Sequence, residues 1–269
     1  ACLAITDSNK LESQKNVVKV EDVRIAAGIA CSNFYNFPQN KVKLIGITGT
    51  NGKTSTSTIL KSILDAKNEK TIQIGTSGIK PTIEINPGLT TPDIFDLYEI
   101  LNYAVNENYK NVILEVSSHA LSQRRIENIF FDVTAFTNLT HDHLDYHETM
   151  NEYFSEKLKL FNLNKDNGSS VVMIDDDYGK RIAELNSNVK CISLKNEDAD
   201  YFCTSYSINS FGLAGTLAWD SETLDFESKL IGSFNLENLT LAASIAIELN
   251  ISVQYIACLL YTSDAADDM

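Results

Sequence analysis

One stretch constrains this chain more than any other. The apolar run Leu44-Ile45-Gly46-Ile47-Thr48 leads directly into Gly49-Thr50-Asn51-Gly52-Lys53-Thr54, and a helical pattern follows. Strand, glycine loop and helix in that order are the context of a phosphate loop. Glycines let backbone N–H groups turn toward one anion, and the helix N-terminus adds partial positive charge. Gly49, Thr50, Asn51 and Gly52 are then the loop that cradles phosphates. Lys53 reaches the β- and γ-phosphates, and the Thr54 hydroxyl sits on magnesium. The common pattern has four residues between its first glycine and the Gly-Lys pair. Here two follow Gly49 and five follow Gly46, so this is a shorter variant. The bland alternative is a glycine turn that happens to precede a helix.

The chain around this loop reads as α/β. Residues 42–48, 111–117, 131–139 and 170–174 are compact apolar runs, and a helix after the loop gathers Ile59, Leu60, Ile63 and Leu64 on one face. Such alternation predicts a mostly parallel sheet flanked by helices. Residues 201–208, 213–219 and 223–230 break the rhythm, are strand-like and are joined by short turns, which predicts a small antiparallel β addition. A helix resumes over 235–249. Residues 1–40 offer a strand at 16–20 and a helix at 22–34, too little for a core of their own. They read as the end of a preceding domain, before a central domain over 41–260.

Composition narrows the function class. The 269 residues carry a net charge of -14, which argues against nucleic acid or an anionic membrane as partner. No apolar run approaches the roughly 20 residues of a membrane helix, and no signal segment opens the chain. The first residue is Ala1, which reads as a cut. Five cysteines, an odd number without metal-type spacing, fit free thiols in a reducing cytoplasm.

Three further features bear chemistry. Glu115 is the one carboxylate in the apolar run Val112-Ile113-Leu114-Glu115-Val116. A buried lone carboxylate is costly unless a cation or donors meet it, and at the end of a parallel strand it faces the same crevice as the loop. Metal ligation explains it; a solvated strand end is the alternative. All four histidines (His119, His141, His143, His147) fall between residues 119 and 147, with Asp142 and Asp145 among them. Zinc is open on composition, but beside a nucleotide loop magnesium suits better. His141 and His147 are assigned to surface or packing. Thr149 and Glu152 form a capping box, and the helix it starts carries Met150, Tyr153, Phe154, Leu158 and Phe161 on one face. Lys157 falls in the middle of that stripe. A core-facing lysine is rare unless paired, neutralised or modified; a side chain that snorkels outward is the alternative.

Together these residues resemble the Mur ligase family, which builds the peptide of the cell-wall precursor, and most of all its MurE type. The resemblance rests on Ile47 to Thr54, Thr90-Thr91-Pro92-Asp93, Glu115 to Leu121, Phe136 to Leu139 with Asp142 to His147, Tyr153 to Phe161, and Gly232 with Asn235 and Asn238. It spans roughly residues 17–258. It implies an ATP-dependent amide ligase that adds the third amino acid to UDP-N-acetylmuramoyl-L-Ala-D-Glu through an acyl phosphate. It implies that Lys53 and Thr54 hold ATP phosphates and magnesium, that Glu115 binds magnesium and His143 a second magnesium, and that Lys157 reacts with carbon dioxide to give a carbamate. Thr90, Thr91, Ser117, Gln123 and Arg125 are implied contacts to the muramoyl dipeptide, and Asn238 a nucleotide contact. The partners are small molecules. The family's N-terminal UDP-binding domain is represented at most by residues 1–40, its C-terminal domain is absent, and residues 261–269 leave the family pattern, so the chain by itself is expected to be inactive. A folylpolyglutamate synthase-like ligase and an inactive ATP-binding relic stay open as rivals, as do the amino acid added and the oligomeric state.

Overall fold

The structure is a computed structural model that describes residues 4–8, 16–85, 88–142 and 146–262. A short parallel pair, β1 (Ala4–Thr6) and β2 (Val17–Lys19), comes first. Helix α1 (Val23–Phe34) starts at Asp22, whose carboxylate accepts from the N–H groups of Arg24 and Ile25, two donors that the first turn cannot satisfy itself.

From residue 43 strands and helices alternate: β3 (Lys43–Thr48), α2 (Lys53–Ala66), β4 (Thr71–Gly75), β5 (Gly78–Lys80), α3 (Ile94–Asn106), β6 (Asn111–Glu115), a short α4 (Ser118–Ser122), β7 (Phe131–Phe136), α5 (Met150–Leu158), β8 (Asn164–Met173), α6 (Asp177–Leu185) and β9 (Val189–Ser193). Then β10 (Tyr201–Asn209), β11 (Gly212–Trp219) and β12 (Glu222–Ser228) run in succession before α7 (Ser233–Glu248) and α8 (Val253–Thr262). One ten-stranded sheet has the order β12-β11-β10-β9-β8-β7-β3-β6-β4-β5. Pairing is parallel from β10 through β4 and antiparallel at both edges.

The central strands are apolar on both faces because helices cover both. Strand β3 sends Ile45 and Ile47 into a cluster with Leu60, Ile63 and Leu64 of α2 and Leu239 of α7. It sends Leu44 into a second cluster with Leu97, Tyr98 and Leu101 of α3 and Cys31 of α1. Helix α1 therefore packs into the same core as the sheet, and the Arg24–Asp93 ion pair at 3.0 Å ties it to the start of α3.

The antiparallel addition is present but is no separate layer. Tyr201 and Phe202 pair parallel with Ile192 and Ser193, so the addition extends the main sheet. Strand β8 begins at Asn164, ahead of the apolar run at 170, because its polar first half pairs with β7 across a register shift. Helix α5 ends at Leu158, and Phe161 reaches the shared apolar face from a 3-10 turn over Lys159–Leu163. Among the described residues no helix is long and apolar enough to cross a membrane.

This topology sets the site. In the middle of the sheet β3 lies between β6 and β7, with Ile47 opposite Glu115 and Thr48 opposite Phe136. The phosphate-loop sequence, Glu115 and the Thr137-Asn138 segment therefore emerge at one sheet edge, where the C-terminal ends of parallel strands leave a crevice.

Candidate active site

The loop between β3 and α2 is shaped by two glycines with positive φ, +148° at Gly49 and +84° at Gly52. At Gly52 a side chain is excluded twice: the backbone is left-handed, and a Cβ would stand 2.2 Å from Asn238 Oδ1. No side chain caps α2, so its leading N–H groups suit an anion. The loop is held from the β7 side by Asn138. Its carbonyl accepts the Thr50 N–H at 2.8 Å and its Oδ1 the Asn51 N–H at 3.0 Å, while its Nδ2 donates to the Asn51 carbonyl at 3.3 Å. The Thr137 hydroxyl donates to that carbonyl at 2.6 Å.

Two lysines meet beneath the loop. Lys53 Nζ donates to the carbonyls of Gly49 and Thr50 at 2.8 and 2.9 Å. Lys157 Nζ, from α5, donates to the same Gly49 carbonyl at 2.8 Å and is 1% exposed. Of the two placements left open for Lys157, the structure has the core-facing one, and Lys159 points outward onto Glu156. The cause is local: the Thr149 hydroxyl caps α5 by accepting the Glu152 N–H, and that start fixes the helical phase. Burial pushes both amines below the ordinary lysine range, and the charge on Lys53 pushes Lys157 further down. Glu115 and then Asp142 oppose this at Lys53, and Asp142 opposes it at Lys157.

Glu115 is fully buried. One carboxylate oxygen accepts the hydroxyls of Thr54 at 2.9 Å and Thr76 at 3.1 Å, and the other accepts Ser57 at 3.4 Å. Gln73 donates to Ser57 Oγ at 2.9 Å and so steadies that donor. Space for the carboxylate exists because residue 75 is Gly; a Cβ there would lie 1.9 Å from Glu115 Oε1. A carboxylate and a threonine hydroxyl side by side are hard oxygen donors. That set fits magnesium, which takes one or two protein oxygens and completes its shell with water and phosphates. Among the described residues no three His, Cys, Asp or Glu side chains converge on one point.

A polar run leads away from Glu115. Thr76 Oγ1 is 3.3 Å from Thr90 Oγ1. Thr91 donates to the Glu115 carbonyl at 2.8 Å and accepts the Ser117 N–H at 3.0 Å. Arg125 donates to the Thr91 carbonyl at 3.1 Å and to Gln123 Oε1 at 2.9 Å. Thr90, Thr91, Ser117, Gln123 and Arg125 are thus brought into one connected polar run, with Thr91 itself fully buried, though up to 35 residues separate them in sequence. Asn238 is buried against Gly52, where its Oδ1 accepts the Thr56 hydroxyl at 3.4 Å.

His147 is buried, its Nε2 2.8 Å from Ser118 Oγ, and His141 is exposed, as the packing and surface assignments expected. His143 and Asp145 lie outside the described residues. Sequence reasoning gave no role to Thr76, Ser57 or Asn138, and took Tyr153 as core alone. Asn138 stood inside a quoted motif; nothing in the sequence signalled that Thr76 meets Glu115.

The chain is similar to known proteins over most of its length. Residues 47–246 match the family model described as the Mur ligase middle domain. The chain is 38% identical over 254 residues to the UDP-N-acetylmuramoyl-L-alanyl-D-glutamate–2,6-diaminopimelate ligase of Fusobacterium nucleatum, covering 93% of this chain and 51% of the relative. With the ligase of the same name from Caldanaerobacter subterraneus it shares 39% over 245 residues, 88% of this chain and 49% of the relative. It spans about half the length of these curated relatives. Among solved structures, a ligase of that name superposes with a TM-score of 0.83 at 26% identity, over 96% of this chain and 54% of that one. Folylpolyglutamate synthase of Mycobacterium tuberculosis superposes with a TM-score of 0.71 over 88% of this chain and 62% of that one, at 16% identity, a likeness of fold alone.

Proposed function

The chain belongs to the Mur ligase family, and from that premise we propose that it is the ATP-binding part of a ligase that adds diaminopimelate to UDP-N-acetylmuramoyl-L-alanyl-D-glutamate. Residues 41–260 are the central domain in this reading, and residues 1–40 the end of a UDP-binding domain. The observation that carries it is the convergence of Lys53, buried Glu115 and buried Lys157 at one sheet edge, with Thr54 bonded to Glu115 at 2.9 Å. The choice of diaminopimelate rests on the relatives' names.

In the reaction, a carboxylate oxygen of the muramoyl dipeptide attacks the γ-phosphorus of ATP. The bond to the β–γ bridging oxygen breaks, and ADP leaves with its electron pair. The amine of the incoming amino acid then attacks the acyl carbon; phosphate leaves and the amine loses a proton. Lys53 and the N–H groups of residues 49–54 hold the phosphates and offset their charge, a matter of positioning and electrostatics. Asn238 borders the nucleotide. Thr90, Thr91, Ser117, Gln123 and Arg125 hold the dipeptide, Arg125 supplying the cation a carboxylate needs. Thr54 and Glu115 would hold one magnesium ion, and His143 with a carbamate on Lys157 a second. Bound magnesium supplies neutralisation of charge shared among phosphate oxygens.

The depressed basicity of Lys157 favours carbamate formation. A neutral amine attacks carbon dioxide through its lone pair; an N–C bond forms, one C=O π pair moves onto oxygen and the N–H proton is lost. The anion can then face metal where an ammonium would repel it. The protein has the character of a soluble cytoplasmic enzyme in this reading, with small-molecule partners only.

Phosphate release by the complete gene product, given Mg-ATP, the muramoyl dipeptide and either diaminopimelate or lysine, tests the proposal. Release that requires the dipeptide and diaminopimelate together supports it. Release with a folate acceptor instead, or ATP binding without release under any combination, overturns it in favour of another ligase or an inactive relic.

A further inference from the structure

Tyr153 has no part in the ligase reading so far, yet it touches both the glycine loop and Lys157. Its side chain is fully buried on the inner face of α5. Its hydroxyl lies 3.2 Å from Thr50 Oγ1 in the phosphate loop, and that oxygen also accepts the Thr140 N–H at 3.0 Å. Lys157 Nζ stands 4.6 Å from the ring centroid. The ring is itself clamped: it stacks on His147 with centroids 5.1 Å apart at 24°, and His147 is anchored on Ser118.

We propose that Tyr153 is a positioning residue for the two amines of the site. Its hydroxyl fixes the phosphate loop through Thr50, and its ring fixes the course of the Lys157 side chain, so that both lysines converge on the Gly49 carbonyl. The proposal rests on the ligase reading. A merely structural role would need only an apolar filler, and Phe154, its neighbour on the same helix and also buried, shows that this stripe takes a ring without a hydroxyl. Tyr153 differs in placing its one polar atom on the loop that would carry phosphate, since a buried phenol must find a partner. It differs again in laying its ring face along the Lys157 side chain, whose Nζ it meets at 4.6 Å.

The test uses the complete gene product with Tyr153→Phe and Tyr153→Leu. Mg-ADP affinity is measured by calorimetry, the Lys157 carbamate by ¹³C NMR in ¹³C-bicarbonate, and folding by urea unfolding. Tyr153→Phe should keep the carbamate signal and a normal unfolding transition while weakening Mg-ADP binding about fivefold to tenfold, the worth of one hydrogen bond to the loop. Tyr153→Leu should also lose the carbamate signal. Mg-ADP binding by Tyr153→Phe within twofold of the unaltered chain would overturn the proposal, whether or not the leucine variant folds. If the unaltered chain binds no Mg-ADP, the ligase reading falls and this proposal with it; if it binds and the phenylalanine variant equals it, this proposal alone falls.

Discussion

Gly75→Ala should disable the Glu115 site by steric displacement, with the cost carried almost wholly by one side chain. A Cβ at residue 75 would stand 1.9 Å from Glu115 Oε1, 2.2 Å from its Cδ and 2.7 Å from its Cγ. Ordinary contact begins at 3.4 Å, so the carboxylate must retreat by 3.4 minus 1.9, or 1.5 Å. Its bonds to Thr54, Thr76 and Ser57 are 2.9, 3.1 and 3.4 Å long. The Ser57 bond is already at its limit, and a shift of that size breaks at least one more. Hydrogen bonds to charged groups contribute about 1.5–3 kcal/mol each, so loss of two predicts destabilisation by about 3 kcal/mol. Where Glu115 is replaced by Ala the obstacle is gone, and alanine in place of glycine in a strand gains about 0.5–1 kcal/mol. Urea unfolding of the four chains (unaltered, Gly75→Ala, Glu115→Ala and both) should therefore give a coupling of about 3–4 kcal/mol. Mg-ADP binding should weaken in both single variants. Equal costs of Gly75→Ala in the two backgrounds would refute the reasoning, because the clash would then lie elsewhere.

Other expectations concern the same crevice. Burial lowers the Lys157 amine well below its ordinary range, so between that lowered value and the ordinary lysine pKa the unfolded chain binds a proton that the folded chain has lost. Stability must then rise with pH across that window; the urea midpoint should climb in alkaline buffer, and less steeply in Lys157→Met. Asn138→Ala removes both side-chain bonds to Asn51 and should weaken Mg-ADP binding about tenfold, one to two hydrogen bonds' worth, read by calorimetry. Thr149→Ala deletes the cap of α5 and should cost about 1 kcal/mol in urea unfolding, with the Lys157 carbamate signal weakened as the first turn frays.

Much of this protein is legible in its sequence. Local chemistry determined the loop, since glycines before Gly-Lys-Thr after an apolar strand have few other uses. It determined the helix that carries Lys157, since a capping box sets the phase and the phase sets the face. The apolar run around Glu115 determined that a charge would be buried. Tertiary structure alone decided what meets that charge. Thr76 comes from the end of β4, and strand β4 carries Gln73 within a short run that no periodicity marked. Strand order is a property of the sheet and is written nowhere locally: β3 between β6 and β7 brings Glu115, Asn138 and Lys53 to one edge from three separate segments. The convergence of Lys53 and Lys157 on a single carbonyl is the clearest case. Residues 53 and 157 have no relation in the chain, and only the packing of α5 against the loop sets their amines side by side.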